Sequence, residues 1–450
     1  MNPVATAEFP LPPVLGGWRE GDPPGRRRWW AAPGPLPLEA GGELPGVRLA
    51  FETWGTLAPD AGNAVLVLHA LTGDSHVTGE AGPGHPTAGW WRGLVGPGLA
   101  LDTDRWFVVA PNVLGGCQGS TGPSSTRPDG TAGSADSKGL ADSMDSAGST
   151  AERAGAAGSG AIGAARSPDG PATTGVPTTA SPITASHTPG IPTAPALVTP
   201  RPWGAAFPFL TQRDQVAAET GLADALGIDR WALVIGGSMG GMRALEWAVT
   251  HPARVDALLL LATTAAAGAE QIAWADAQLS AIRADPDWCG GDYHGTGRAP
   301  YTGLGLARRI AHVTYRSEPE LALRFGRVPQ GAEDPWRGGR YQVESYLDHH
   351  ARKLIRRFDA GSYVTLTEAM NAHDVGRGRG GTRSALGRVT ARTLVAAVDS
   401  DRLYPPAQQS ELATLIPSAD RLRVIESPYG HDGFLIETGQ VGELVTELLG

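Results

Sequence analysis

Short apolar runs rich in β-branched residues alternate with amphipathic segments along most of the chain. Several of these runs are continuous rather than alternating, as is typical of strands covered on both faces of a sheet. The predicted strands are Ala64–Leu68, Trp106–Val109, Trp231–Ile235, Asp256–Leu261, Thr393–Val398 and Arg421–Ile425. Helical periodicity separates them at Asp214–Leu226, Met239–Thr250, Ala407–Leu415 and Gly439–Leu449. This alternation predicts an α/β fold with a doubly wound, mostly parallel sheet.

The alternation of strands and helices stops between residues 265 and 386. Helical patterns rich in Arg, Leu and Ala cover Gly303–Tyr315, Gln342–Phe358 and Ser362–Met370, and no convincing strand pattern interrupts them. We therefore interpret residues 265–386 as a helical lid inserted between two core strands. Residues 1–264 and 387–450 then supply the core of the fold.

Residues 131–200 also interrupt the pattern of strands and helices, and they differ from the rest of the chain in amino-acid composition. This segment is built from Ala, Gly, Ser, Thr and Pro and contains no Phe, Trp or Tyr. Such a segment cannot bury enough apolar surface to offset the entropy of ordering it, which predicts disorder. The polar sequences beside it, Thr126–Gly130 and Arg201–Gly204, join naturally into one loop. That favours a long loop insertion within the core over a linker between two domains.

Composition and charge exclude several classes of protein. The 450 residues are 41% apolar, enough for a substantial core. The net charge is −9 and no Lys/Arg run gives a basic face, which argues against a nucleic-acid binder. The only cysteines, Cys117 and Cys289, are too few for a disulfide framework. Met1–Glu20 is unlike a signal peptide, and Ala257–Ala269 falls short of the about 18 apolar residues of a membrane span. We expect a soluble, cytoplasmic protein.

The strongest chemical motif is Gly236–Gly240, where a predicted strand meets a predicted helix. It satisfies G-x-S-x-G with Ser238 at its centre. The flanking glycines permit the tight turn that makes a nucleophilic hydroxyl project from the sheet. The free N–H groups of the following helix point toward a developing oxyanion. We predict that Ser238 is a nucleophile and that the Met239 N–H is an oxyanion donor.

A nucleophilic serine needs a general base, which in this kind of fold follows the serine in the chain. His431 lies in a turn directly after the last predicted strand and is the predicted base. His69 precedes the serine and fits the oxyanion loop, whereas His349 and His350 lie on a lid helix and are interpreted as surface or hinge residues. No H-E-x-x-H motif or spaced Cys/His set indicates a metal site.

Two roles stay open when only the residues are considered. Asp399 and Asp401 both follow the penultimate predicted strand, where the acid of a catalytic triad belongs, and composition does not separate them. The loop after the first predicted strand is expected to give the second oxyanion N–H, from Leu71 or Thr72, with Gly73 providing the turn.

Two further motifs are interpreted as structural. Gly376–Gly381 matches G-x-G-x-x-G, but no strand pattern precedes it, as a dinucleotide site requires. Cys117 lies in a glycine-rich loop and is interpreted as a small buried residue rather than a thiol nucleophile. Neither motif changes the predicted site.

Four segments taken together resemble the homoserine O-acetyltransferase family, whose members have the α/β-hydrolase fold. They are His69–Asp74, Asn112–Gly119, Gly236–Gly241 and Tyr429–Phe434, and the resemblance runs from about Pro45 to Leu449 apart from the insertion. The resemblance implies that Asp401 is the acid and that Arg308 and Asp432 bind the substrate. For the oxyanion hole we predict the N–H groups of Leu71 and Met239.

The substrate-binding roles implied by the resemblance are chemically reasonable. A guanidinium such as that of Arg308 can hold the carboxylate of homoserine with two hydrogen bonds, and the Asp432 carboxylate can pair with its ammonium group. Alternatives remain for both residues. Arg308 could form a salt bridge within the lid, with Arg309 as the binding residue, and Asp432 could only position the His431 loop.

The resemblance also implies a reaction and a setting. The expected reaction is a ping-pong transfer of an acetyl group from acetyl-CoA, a co-substrate rather than a cofactor, to the hydroxyl of L-homoserine. It gives O-acetyl-L-homoserine and CoA in methionine biosynthesis, and the family is cytoplasmic and dimeric. A homoserine or serine O-succinyltransferase and an esterase of the same fold are the alternatives. No nucleic-acid or membrane partner is expected.

Overall fold

The computed structural model describes residues 16–128 and 201–450, and the predicted disorder of residues 131–200 lies outside the described residues. One sheet contains eight strands: β1 (Arg28–Ala31), β4 (Arg48–Trp54), β5 (Ala64–Leu68), β8 (Phe107–Pro111), β9 (Leu233–Gly237), β10 (Ala257–Leu261), β11 (Arg392–Val398) and β12 (Arg423–Ile425). Two small ribbons contain the others: β2 (Leu36–Pro37) with β3 (Glu43–Leu44), and β6 (Val95–Gly96) with β7 (Leu101–Asp102).

The α-helices fall into a core set and a lid set. The core set is α1 (Gln212–Ala225), α2 (Met239–Thr250), α9 (Pro406–Leu415), α10 (Gly433–Ile436) and α11 (Thr438–Leu449). Between β10 and β11 lie α3 (Ala269–Arg283), α4 (Tyr301–Tyr315), α5 (Glu318–Phe325), α6 (Gln342–Ile355), α7 (Ala360–Asn371) and α8 (Thr382–Leu386). Within the two described ranges, no helix is long and apolar enough to cross a membrane.

The order of the strands places the loops that carry the predicted site along one edge of the sheet. The spatial order is β1-β4-β8-β5-β9-β10-β11-β12. The six strands from β8 to β12 pair in parallel, and β4 and β1 continue the sheet antiparallel. From β5 the chain passes first to β8, on one side of β5, and then to β9, on its other side. In such sheets, ligands bind outside the carboxyl ends of the strands where the order changes direction.

Apolar layers cover both faces of the sheet. Along β5, Leu66 and Leu68 pack into one layer, and Val65 and Val67 pack into the other. The continuous apolar run was therefore a correct indication of a strand buried on both faces. A third apolar cluster lies under the lid, where Leu71 packs among side chains from α3, α4 and α6.

The predicted core elements are present, with ends displaced by at most two residues. The pattern missed β1 and β4, and in β4 the reason is the polar Glu52, which breaks the apolar run although its side chain is buried. The lid helix predicted over Gln342–Phe358 ends at Ile355, because Asp359 begins the next helix by accepting the Ser362 N–H at 2.8 Å.

The two flanks of residues 131–200 meet, as the sequence indicated. The Arg127 N–H donates to the Arg201 carbonyl at 2.8 Å, and the Trp203 N–H donates to the Ser125 carbonyl at 3.1 Å. The chain on either side of the insertion therefore forms one continuous part of the core.

Candidate active site

Ser238 occupies a strained turn between β9 and α2. Its backbone has φ 55° and ψ −125°, a conformation that costs energy for any residue with a side chain. The turn is possible because glycines let three segments approach closely. A Cβ on Gly240 would lie 2.0 Å from the Leu68 carbonyl oxygen, and one on Gly236 would lie 2.2 Å from the Gly240 carbonyl oxygen. The motif therefore brings α2 directly against the end of β5.

His431 and Asp401 form a buried pair. The His431 Nδ1 donates to Asp401 Oδ2 at 2.6 Å, while Asp401 Oδ1 accepts the N–H groups of Leu403 at 2.8 Å and Tyr404 at 3.0 Å. Both carboxylate oxygens are thus engaged, which fixes the orientation of the imidazole. Asp399 is exposed and accepts the Ser427 N–H at 3.0 Å. The structure brings Asp401, and not Asp399, to His431.

Burial and the Asp401 charge act in opposite directions on the imidazole. Removal of the ring from water opposes protonation of His431, but the charge and hydrogen bond of Asp401 prevail and raise its pKa above the usual value. The His431 imidazole and Ser238 line the same cavity, although no hydrogen bond joins them. Hydrogen bonds between catalytic groups often tighten only in the substrate complex.

The residues after β5 form the turn Ala70–Gly73, which we call the oxyanion turn. The Gly73 N–H donates to the Ala70 carbonyl at 2.8 Å, which closes the turn. Such a bond leaves the N–H groups of the two central residues, Leu71 and Thr72, outside the turn's own hydrogen bonding. Leu71 and Thr72 both line the cavity, and Met239 packs in the same lid cluster as Leu71.

His69 supports this turn rather than acting as a base. Its Nε2 accepts the Val113 N–H at 3.1 Å, and its Nδ1 lies 2.8 Å from the Ala70 carbonyl. Burial, with a further effect from the Arg243 charge, lowers the pKa of His69 to about 3. The ring is therefore neutral, and its hydrogen bonds place it beside the oxyanion turn.

The cavity has a volume of about 380 Å³, with Ser238 and His431 on its wall beside residues of the lid. Arg308 enters this wall from α4, and its guanidinium stacks 5.3 Å from the centre of the Tyr315 ring. Arg308 Nε and Nη1 are buried without a hydrogen-bond partner among residues 16–128 and 201–450. Arg309 instead pairs with Asp348. Of these two neighbouring arginines, Arg308 is therefore the one that lines the cavity.

Asp432 also lines the cavity, and the lid supplies it with a cation. Arg316 Nε lies 3.5 Å from Asp432 Oδ2. Burial raises the pKa of Asp432, while the charges of Arg316 and Arg308 act against that rise. Sequence reasoning missed Arg316, which directly follows the last residue of α4 in an extended conformation that helical spacing does not describe.

The chain matches known proteins over nearly its whole length. A family model described as the α/β hydrolase fold matches residues 63–438. The homoserine O-acetyltransferase of Thermobifida fusca (strain YX) is 59% identical over 438 residues, which is 97% of each chain. The chain belongs to the homoserine O-acetyltransferase family.

A second relative agrees with this placement in the homoserine O-acetyltransferase family, and two solved structures share the fold. The homoserine O-acetyltransferase of Mycobacterium tuberculosis (strain ATCC 25177 / H37Ra) is 50% identical over 417 residues, covering 93% of this chain and 92% of that protein. The crystal structure of homoserine O-acetyltransferase from Bacillus anthracis has a TM-score of 0.72 at 23% identity and covers 94% of this chain and 97% of its own. Esterase E22 has the same TM-score at 21% identity, covering 94% and 99%. The predicted family and fold class are confirmed, whereas the individual residue roles stay predictions.

The structure places His350 on the wall of the cavity, whereas the sequence indicated a surface or hinge residue. Its ring stacks on that of His312 with centroids 3.8 Å apart, and His312 Nε2 lies 2.8 Å from the Tyr346 hydroxyl. Burial and the nearby Arg308 charge lower the pKa of His350 to about 3. A neutral imidazole is therefore part of the lid wall, and no sequence motif indicated it.

One group in the described part of the chain, Glu52, His76 and His85, has three ligand atoms within 4.8 Å of one another. Its geometry does not suit a metal ion, which lies in the plane of each imidazole that binds it. The two rings are stacked at 3.8 Å with an interplanar angle of 9°, and the Arg26 N–H occupies His85 Nε2 at 3.0 Å. Glu52 instead accepts the Ser75 hydroxyl at 2.7 Å, directly behind the oxyanion turn.

The G-x-G-x-x-G match and the Cys117 loop both make contacts within the fold, in line with their interpretation as structural. Arg379, from the G-x-G-x-x-G match, pairs with Glu246. The Cys117 thiol is buried and accepts the Asp359 N–H at 3.3 Å. Burial raises the pKa of Cys117 to about 12, which disfavours the nucleophilic thiolate.

Proposed function

We propose that this chain transfers an acetyl group from acetyl-CoA to the hydroxyl of L-homoserine, giving O-acetyl-L-homoserine and CoA for methionine biosynthesis. The observation that carries the proposal is the set of side chains that line one cavity. Ser238 and the buried His431–Asp401 pair offer acyl-transfer chemistry. The Arg308 guanidinium, whose Nε and Nη1 have no hydrogen-bond partner among the described residues, offers a place for an amino acid carboxylate. The names of relatives at 50% and 59% identity support the same reaction.

The first half of the reaction forms an acyl-enzyme. Ser238 Oγ attacks the thioester carbonyl while His431 removes the hydroxyl proton. Asp401 holds the imidazole in the correct tautomer and stabilises its charged form. The N–H groups of Met239 and Leu71 bind the oxyanion of the tetrahedral intermediate. The C–S bond then breaks, His431 returns its proton to the departing CoA thiolate, and the acetyl group remains as an ester on Ser238.

The second half repeats this chemistry with the acceptor. Arg308 binds the carboxylate of homoserine and Asp432 pairs with its ammonium, so the terminal hydroxyl is directed to the ester. His431 removes the proton of that hydroxyl as its oxygen attacks the acetyl carbonyl. The intermediate collapses by breaking the bond to Ser238 Oγ, which regains its proton from His431. The products are O-acetyl-L-homoserine and the free enzyme.

The dependence of turnover on homoserine distinguishes this transferase from an esterase. An acyl-enzyme survives only where water is kept from the ester, and the lid provides much of the cavity wall. We expect release of CoA to be slow with acetyl-CoA alone and strongly stimulated by L-homoserine. Arg308→Ala should raise the KM for homoserine about 10²-fold while sparing acylation, because a bidentate charged hydrogen bond is lost.

Arg309→Ala is the matched control, since that neighbouring arginine pairs with Asp348 and does not line the cavity. Rapid CoA release that is indifferent to homoserine would instead support the esterase. Intact-protein mass spectrometry after incubation with acetyl-CoA or succinyl-CoA identifies the donor by the mass of the adduct. A preference for succinyl-CoA would contradict the proposed acetyl transfer.

Cytoplasmic location and homodimerisation complete the proposal. Both cysteines are free, which suits a reducing compartment. Two large apolar residues of the lid, Leu323 and Trp336, are 91% and 94% exposed. We propose that a second copy of the chain covers this apolar surface. We expect light scattering to give twice the mass of one chain. A mass that stays that of one chain at high protein concentration would contradict the dimer.

A further inference from the structure

The oxyanion turn and its flanks are held by three charged side chains from different parts of the fold. Arg243, on α2, donates from Nη2 to the His69 carbonyl at 2.7 Å. Glu52, on β4, accepts the Ser75 hydroxyl on the other side of the turn. Arg357, which follows α6 in the lid, donates from Nη1 to the Thr72 carbonyl at 2.7 Å.

Arg357 differs from the other two because it reaches the turn itself. Its partner, the Thr72 carbonyl, belongs to the same planar peptide group as the Gly73 N–H that closes the turn. The hydrogen bond from Arg357 therefore fixes the plane of that peptide group. The bond from the Gly73 N–H to the Ala70 carbonyl in turn connects it to the peptide group that carries the Leu71 N–H. Of the three side chains, only that of Arg357 lines the cavity and comes from the lid.

The backbone around Arg357 is anchored to the core. Gln118 Nε2 donates to the Arg357 carbonyl at 2.6 Å, and the Asp359 N–H donates to Cys117 Sγ at 3.3 Å. Both partners lie in the loop after β8. The guanidinium is therefore presented to the oxyanion turn from a fixed position, where the lid meets the core.

The charge of Arg357 is left facing the cavity. Burial lowers the pKa of Arg357 and the charge of Asp74 opposes that effect, but a guanidinium stays protonated in proteins. Among the described residues, no carboxylate oxygen lies within 4.0 Å of the Arg357 guanidinium to form an ion pair. Buried charged side chains usually have such a partner. A fixed positive charge beside the oxyanion turn would favour a tetrahedral intermediate, whose negative charge forms nearby in a low-dielectric site.

We propose that Arg357 is a positioning residue for acyl transfer, which holds the oxyanion turn in shape and makes ester formation depend on docking of the lid. The inference rests on the proposed function, because it assigns the turn to stabilisation of the oxyanion. Both half-reactions pass through a tetrahedral intermediate, so both should depend on Arg357, whereas binding of homoserine should not.

The test measures acylation and deacylation separately in the full-length protein. Arg357→Met removes the donor and the charge but retains a long side chain, Arg357→Lys retains the charge, and Arg356→Met is the matched control at an exposed neighbour. Release of CoA in a single turnover gives the acylation rate, and loss of the acetyl adduct on addition of homoserine gives the deacylation rate. We expect Arg357→Met to slow both about 10²-fold with the KM for homoserine unchanged. Arg357→Lys should recover part of both rates, and Arg356→Met should match the wild type.

Two results would overturn the proposal. One is wild-type rates of acylation and deacylation in Arg357→Met. The other is an effect confined to the KM for acetyl-CoA, which would make Arg357 a residue that binds the donor. If Arg357→Met does not fold, Arg357→Gln replaces it as the uncharged variant, and thermal unfolding checks that it is native. Failure of the wild type to acquire an acetyl group on Ser238 would refute the proposed function itself, whereas normal acylation of both proteins would refute only the role of Arg357.

Discussion

We expect Ser238→Ala to abolish the acetyl adduct and to lower turnover by about 10⁶-fold, the scale on which serine enzymes lose activity without their nucleophile. Within residues 16–128 and 201–450, no other serine and no cysteine lines the cavity. Cys117 is not part of the cavity wall, and burial raises the pKa of its thiol to about 12. Intact-protein mass spectrometry after incubation with acetyl-CoA measures the adduct, and the rate of O-acetylhomoserine formation measures turnover.

Ser384→Ala is the control for this experiment, because Ser384 is exposed on α8 and outside the cavity. It should label and turn over like the wild type. An adduct that persists in Ser238→Ala would assign the nucleophile to another residue, and peptide mapping would then identify it. Cys117 would be the first residue to examine.

Features that depend on local sequence were predictable. Strands buried on both faces are continuous apolar runs, so β5 and β10 could be located to within one residue. The nucleophile turn was predictable because only glycine tolerates the close approach of α2 to β5, and that requirement is visible as a motif. The position of His431 on the cavity wall was predictable because it follows the last strand of the sheet.

Features that depend on tertiary contacts were not predictable from the residues alone. Asp399 and Asp401 are two positions apart in a loop, and only the path of that loop turns Asp401 toward His431. Arg308 and Arg309 are adjacent, and the rotation of α4 decides which one enters the cavity. Arg357 contacts a turn 285 positions earlier in the chain, a relation that no local pattern expresses.

The structure divides the proposed chemistry between the core and the lid. The core loops supply Ser238, His431 and Asp401, and the lid supplies Arg308 for the acceptor. In the proposed function, the acceptor site in the lid is what distinguishes transfer to homoserine from hydrolysis, since hydrolysis needs no group that binds the acceptor's carboxylate. The hydrogen bond from Arg357 to the Thr72 carbonyl connects the lid to the core at the oxyanion turn.

Asp401→Asn should lower turnover by about 10⁴-fold, because the change reverses the hydrogen bonding of His431. The Asp401 Oδ1 atom accepts two backbone N–H groups, so an asparagine would keep its carbonyl oxygen there and turn its NH₂ group toward Nδ1. His431 would then carry its proton on Nε2, the nitrogen that must act as the base. Loss of the Asp401 charge should also lower the pKa of His431, which Asp401 raises in the wild type. Since the base must be neutral, the activity that remains should persist to lower pH than in the wild type.

Asp399→Asn provides the matched comparison, two positions away in the same loop. Its carboxylate is exposed, and an asparagine oxygen at that position can still accept the Ser427 N–H. Turnover and the pH profile should therefore stay close to those of the wild type. Steady-state rates across pH for the two variants decide the assignment. A large loss in Asp399→Asn together with a small loss in Asp401→Asn would show that the hydrogen bond between Asp401 and His431 is not the one that orients the base during catalysis.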